Sequence, residues 1–110
     1  WHVPSGTDWN ILLSNVASPA DLKESGAAHW FSPNTGATNS ISFTALPGGY
    51  YGGSGSVTTA IKAIASFWLK DEASSTAGIG FLLYYNNLPD TGDWVHFIKE
   101  SGFSVRCLRD

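Results

Sequence analysis

Trp9, Leu12, Leu13 and Val16 recur at i, i+3, i+4 and i+7, which winds a single apolar stripe onto a helix from about Thr7 to Val16. Ser5 stands three residues before Asp8, the spacing of a capping box, with Thr7 as the competing N-cap. A second short helix is predicted from Pro19: Ser18 caps it, Pro19 suits the first helical position, Asp21 favours the positive end of the dipole, and Gly26 stops it. From Ser32 to Ser56 no period survives, and Pro33, Gly36, Pro47, Gly48, Gly49, Gly52, Gly53 and Gly55 interrupt the chain. A loop of that length in a compact domain is either functional or packed by its own side chains. Ile41, Phe43, Leu46, Tyr50 and Tyr51 favour packing, with one short strand at Ile41 to Thr44. The remainder reads as β: Ala65 to Leu69, Ile79 to Tyr85, Trp94 to Lys99, and Phe103 to Leu108, separated by Asn/Asp/Gly/Pro clusters. That punctuation predicts an antiparallel meander. Phe103, Val105 and Cys107 alternate with Ser104 and Arg106, as in a half-buried strand. Helices, a long loop and then a sheet make an α+β order.

The length of 110 residues suits one domain. Fifteen aromatic residues and twelve glycines against fifteen charged side chains exclude a disordered or low-complexity chain. A net charge of −3 argues against nucleic-acid binding, which needs a basic stripe. The longest apolar run, Ile79 to Tyr85, is broken by Gly80 and is far too short to span a bilayer as a helix. The lone Cys107 excludes both an internal disulfide and a multi-cysteine zinc site. It reads as a small buried residue on a strand, as a nucleophile, or as a half-cystine whose partner lies upstream of Trp1.

Catalytic constellations are absent from the pattern. His2, His29 and His96 lie in three separate segments, and no G-x-S-x-G elbow, P-loop or dinucleotide fingerprint occurs. No metal or other cofactor is therefore expected, although Asn86, Asn87, Asp90 and Asp93 place oxygen-bearing side chains in one loop that calcium could use. The competing reading is a turn rich in Asn and Asp because these residues tolerate turn geometry. Strand alternation gives a sharper candidate. If Phe81, Leu83, Val95 and Phe97 face inward, then Tyr84, Trp94 and His96 face outward beside that loop. The opposite register is equally open. An aromatic and polar patch of Tyr84, Asn86, Asn87, Asp90, Asp93, Trp94 and His96 has the composition of a recognition surface for protein or glycan.

Five ordered blocks carry a family resemblance: Trp1-His2-Val3-Pro4-Ser5-Gly6-Thr7-Asp8-Trp9; Leu22-Lys23-Glu24-Ser25-Gly26 with His29-Trp30; Ser32-Pro33-Asn34-Thr35-Gly36-Ala37-Thr38-Asn39; Phe43-Thr44-Ala45-Leu46-Pro47-Gly48-Gly49-Tyr50; and Ser101 to Asp110. Together they resemble the Fibrobacter succinogenes major paralogous domain, a family abundant in surface and secreted proteins of Bacteroidetes. That family is similar in turn to the formylglycine-generating, sulfatase-modifying group. The resemblance implies a C-type lectin-like fold with two N-terminal helices packed on a small twisted antiparallel sheet and a long structured loop. It also implies a segment upstream of Trp1 that often carries a cysteine, the partner expected for Cys107; the chain is then a single domain, 1–110, lacking its N-terminal strand or segment.

The departures matter as much. The enzymes of the similar group work through a pair of cysteines, and this chain has one. The Glu-Pro-Asn, Gln-Pro-Asp and Trp-Asn-Asp strings of calcium-dependent lectins do not occur. The resemblance thus implies a non-catalytic module at the cell surface (outer membrane-associated) or secreted. Its partner would be a protein or glycan rather than nucleic acid, with no direct membrane insertion. The alternative is a structural spacer or pilus-tip domain without its own ligand. Gly102 to Arg109 is also similar to the C-terminal strand of domains diversified by retroelements. The frame expected to support all this is a clamp of Trp1 and Trp9 against Phe103 and Val105.

Overall fold

The structure, a computed structural model, describes residues 1–53, 59–86 and 93–110. Helix α1 spans Gly6–Leu13 and begins with the expected capping box: Ser5 Oγ accepts from the Asp8 amide at 3.2 Å, and the Asp8 carboxylate accepts from the Ser5 amide at 2.8 Å. The same reciprocal cap recurs at Ser18 and Asp21. There it opens only a 3₁₀ turn, Pro19–Leu22.

The expected second helix is therefore corrected, and with it the two-helix, C-type lectin-like arrangement: the described residues hold one short α-helix and a three-stranded antiparallel sheet. The cause is tertiary. Lys23 turns extended (ψ 147°), forms a parallel bridge with Ala45, and leaves the helical path at once.

Strands β1 (Ile64–Glu72), β2 (Ala77–Tyr84) and β3 (Asp93–Ile98) form the meander in the order β1-β2-β3. Paired residues of an antiparallel ladder share a face, so the register Phe67↔Phe81↔Trp94 defines one side of the sheet. On this helix side Trp9 of α1 stacks on Phe81 at 4.5 Å and meets Phe67 at 5.6 Å. Leu22, Trp30, Ala45, Ala65, Leu69 and Leu83 complete the buried core. On the other side β2 offers Gly78 and Gly80, and Phe103 stacks on Trp68 at 4.4 Å while touching Phe97 at 5.0 Å and Tyr50 at 5.9 Å.

This second face overturns the proposed clamp. Trp1 and Val105 are exposed, and Trp9 and Phe103 lie on opposite sides of the sheet. The chain ends meet through backbone instead, His2 pairing with Leu108 at 2.9 and 2.8 Å. Phe103 to Leu108 is likewise not a regular strand. Ser104 and Leu108 make isolated bridges, and Cys107 is exposed rather than buried.

Ile41 to Thr44 is not a strand either; Ser42 and Thr44 take left-handed backbone angles (φ 58° and 55°), and Asn39 Oδ1 accepts from the Thr44 amide at 2.7 Å. Side-chain hydrogen bonds organise this loop where a ladder was expected. Asn34, buried at φ 48°, donates through Nδ2 to Glu24 O and Gly26 O, and Trp30 Nε1 donates to Ala45 O. Among the described residues no helix is long and apolar enough to cross a membrane.

Candidate functional site

The residues anticipated as a recognition patch are divided by the sheet. Trp94 pairs with Phe81 and His96 with Ile79, which places both on the helix side. Tyr84 falls in the opposite phase of β2, with Leu82 and Gly80, and is half-buried. Asn86 is exposed just beyond β2, and Asp93 opens β3. Asn87 and Asp90 lie outside the described residues, and with them half of the oxygen cluster considered for calcium. Tyr84, Trp94 and His96 thus do not form one surface. Alternation alone left the β2–β3 register open, and the pairing of Phe81 with Trp94 decides it.

Trp94 is half inside. Its ring meets Phe81 edge-on at 5.4 Å and 66°, yet 36% of the residue remains exposed. It forms one wall of an open cleft of about 530 Å³ whose other wall is the end of α1 and the chain beyond it, with Asn10, Leu13, Val16 and Pro19. The apolar stripe read from the sequence therefore continues past the helix: Val16 lies three residues after Leu13 and still faces the cleft.

A second, more apolar groove of about 220 Å³ runs between α1 and the C-terminal segment, lined by Pro4, Leu12, Phe43, Arg106 and Leu108, with Cys107 and Asp8 also in its wall. Arg106 holds its guanidinium 4.1 Å above the Phe43 ring, a cation–π arrangement. Asp8 is already engaged. Its carboxylate accepts from the Ser5 amide and hydroxyl and faces His2 Nε2 at 3.6 Å. The Ser5 amide, then the Ser5 hydroxyl, hold its pKa below the ordinary carboxylate value. Trp9, which also lines this groove, buries an Nε1 donor without a hydrogen-bond partner.

The least foreseen group is Lys23. It is fully buried, donates from Nζ to Thr35 O and Tyr84 O at 2.8 Å each, and sits 5.3 Å from the Trp30 ring centroid. Desolvation pushes its pKa down to about 8. No pattern in the sequence marks a lysine for burial; only the meeting of the long loop with the end of β2 supplies the two carbonyls. Among the described residues there is no group of three or more His, Cys, Asp or Glu side chains that could hold a metal ion.

A three-stranded meander carrying one short helix and bearing an aromatic-walled cleft defines a small, mostly β domain. The chain belongs to the Fibrobacter succinogenes major domain family, whose sequence model matches residues 1–109. No curated protein and no solved structure matches it.

Proposed function

We propose that this domain is a non-catalytic ligand-binding module of a bacterial surface or secreted protein, recognising a protein or glycan through the edge of the sheet at Trp94. The observation that carries the reading is Trp94 itself: a large aromatic ring anchored on Phe81, partly open to solvent, at the wall of a cleft of about 530 Å³. Aromatic residues fixed by packing and still accessible are the usual anchors of recognition surfaces, because little side-chain entropy is lost when they are covered. His96, exposed on the same face of β3, adds a polar group beside the ring. A rigid sheet that presents such side chains at its margin suits binding without chemistry.

A glycan array together with a pull-down from bacterial and host surface material tests the reading. Trp94→Ala is expected to lower affinity at least tenfold while the thermal midpoint shifts by only a few degrees; unchanged affinity rejects the site. A blank result in both screens favours a structural spacer.

A further inference from the structure

The two outer edges of the sheet are treated in opposite ways. Along the free side of β1 every second residue is engaged: Ile64 O accepts from Gly49 N at 2.8 Å, Ser66 O from Ser104 N at 3.1 Å, and the amides of Trp68 and Lys70 donate to Ser104 O at 2.9 Å and Pro4 O at 3.0 Å. A register irregularity between Trp68 and Glu72 further breaks that edge. Covering strands and irregularities are the normal protection of a sheet margin.

β3 has neither. Lys99 N donates to Thr76 O at 3.0 Å across the ladder, so the residues in phase with it, Phe97, Val95 and Asp93, point their amides and carbonyls toward β2. Trp94, His96 and Ile98 point theirs away. Ile98 O is taken by Ser101 N at 2.9 Å, which closes the edge at that end. At Trp94 and His96 no described residue accepts from the outward amide or donates to the outward carbonyl. The strand Asp93–Ile98 also contains no proline or lysine to blunt it.

We infer that this edge accepts an extended peptide segment of a protein partner as a fourth strand, hydrogen-bonded to the outward backbone groups of Trp94 and His96. The inference deepens the proposed binding role and rests on it. A row of alternating donors and acceptors at strand spacing is matched by another extended chain, whose own amides and carbonyls repeat with the same period, far better than by a sugar. An added strand lies about 4.8 Å beyond β3. Its side chains on the helix side then sit beside Trp94, facing the cleft walled by Asn10, Leu13, Val16, Ser18 and Pro19. Backbone pairing supplies affinity, and the cleft selects the side chain.

The probe is a phage-displayed library of random linear dodecapeptides, panned on the protein. Recovered peptides are expected to share a side-chain preference at alternate positions, and binding is expected to slow hydrogen exchange at the amides of Trp94 and His96 at least tenfold. His96→Pro removes one outward donor while leaving the ladder to β2 intact, and is expected to weaken binding at least tenfold. Peptides N-methylated at alternate residues deliver the same block without altering the protein, so the result stands even where His96→Pro folds poorly. No enrichment of peptides, or bound peptides that leave both amides exchanging as in the free protein, overturns the inference. Glycan binding without amide protection overturns it while sparing the module reading. Micromolar self-association that protects the same two amides makes a second copy the occupant and overturns it too.

Discussion

On the helix side the sheet brings its own bulk: Phe67, Leu69, Phe81 and Leu83 rise from neighbouring strands and Trp9 of α1 lies flat on Phe81. On the opposite side β2 withdraws, presenting Gly78 and Gly80, and the rings arrive from outside the ladder: Phe103 from the C-terminal segment and Tyr50 from the long loop, against Trp68 and Phe97. One side is a conventional core in which large side chains interdigitate. The other is a seat, where the missing Cβ atoms let a ring lie directly on backbone. A Cβ at Gly80 would overlap the Phe103 ring, and one at Gly78 would come within 3.0 Å of Trp68 Cζ3. The first arrangement is vulnerable to loss of volume, the second to gain of it.

Deleting the central ring should break the helix side outright. Trp9→Ala is expected to cost about 3–5 kcal/mol, the range for emptying a buried aromatic position, measured by urea unfolding. Gly80→Ala tests the other side with the opposite change in size and is expected to cost about 2 kcal/mol through overpacking. Combining it with Phe103→Leu should cost less than the sum of the two singles, because the smaller side chain relieves the overlap. Additive costs would mean that Phe103 does not sit on Gly80.

Lys23 sharpens the comparison, since it ties the long loop to the end of β2 through Thr35 O and Tyr84 O. Lys23→Met is expected to destabilise by about 1–2 kcal/mol near neutral pH, by leaving two carbonyls without their donor. The pH dependence has a definite sign. Burial lowers the Lys23 pKa to about 8 from its ordinary 10.5, so between those values the unfolded chain holds the proton more tightly. Stability should therefore rise with pH across that window, by at most about 1.4 kcal/mol per pH unit. Lys23→Met should lack this component, and identical pH profiles for the two proteins would show that Lys23 titrates normally. The smallest expected effect is at the cap of α1, where Ser5→Ala should cost about 1 kcal/mol, read as a shift of the thermal midpoint.

Local signals in the chain were legible wherever the determining contacts are local. The capping box at Ser5, the N-cap at Ser18, the apolar stripe through Trp9 and Leu13, and the three strands of the meander follow from neighbours within a few residues. Prediction ended at Lys23, because a good helix start does not specify what comes after it: the bridge to Ala45, 22 residues onward in the chain, ends the turn. Ser42 and Thr44 looked extended by composition and instead adopt left-handed angles held by Asn39. The candidate site divided for a related reason. Alternation groups Trp94 with His96 on β3, yet says nothing of which face Tyr84 of β2 shares until the strands are paired.

What the sequence alone determined is therefore periodicity and punctuation: where α1 starts, the three stretches that become β1, β2 and β3, and which family the chain resembles. Only the tertiary structure decided the pairing register, the side of the sheet that receives Phe103, the burial of Lys23 and the direction in which the backbone groups of Trp94 and His96 point. These depend on groups far apart along the chain, and their free energies arise only when distant backbone and side chains come together in one register.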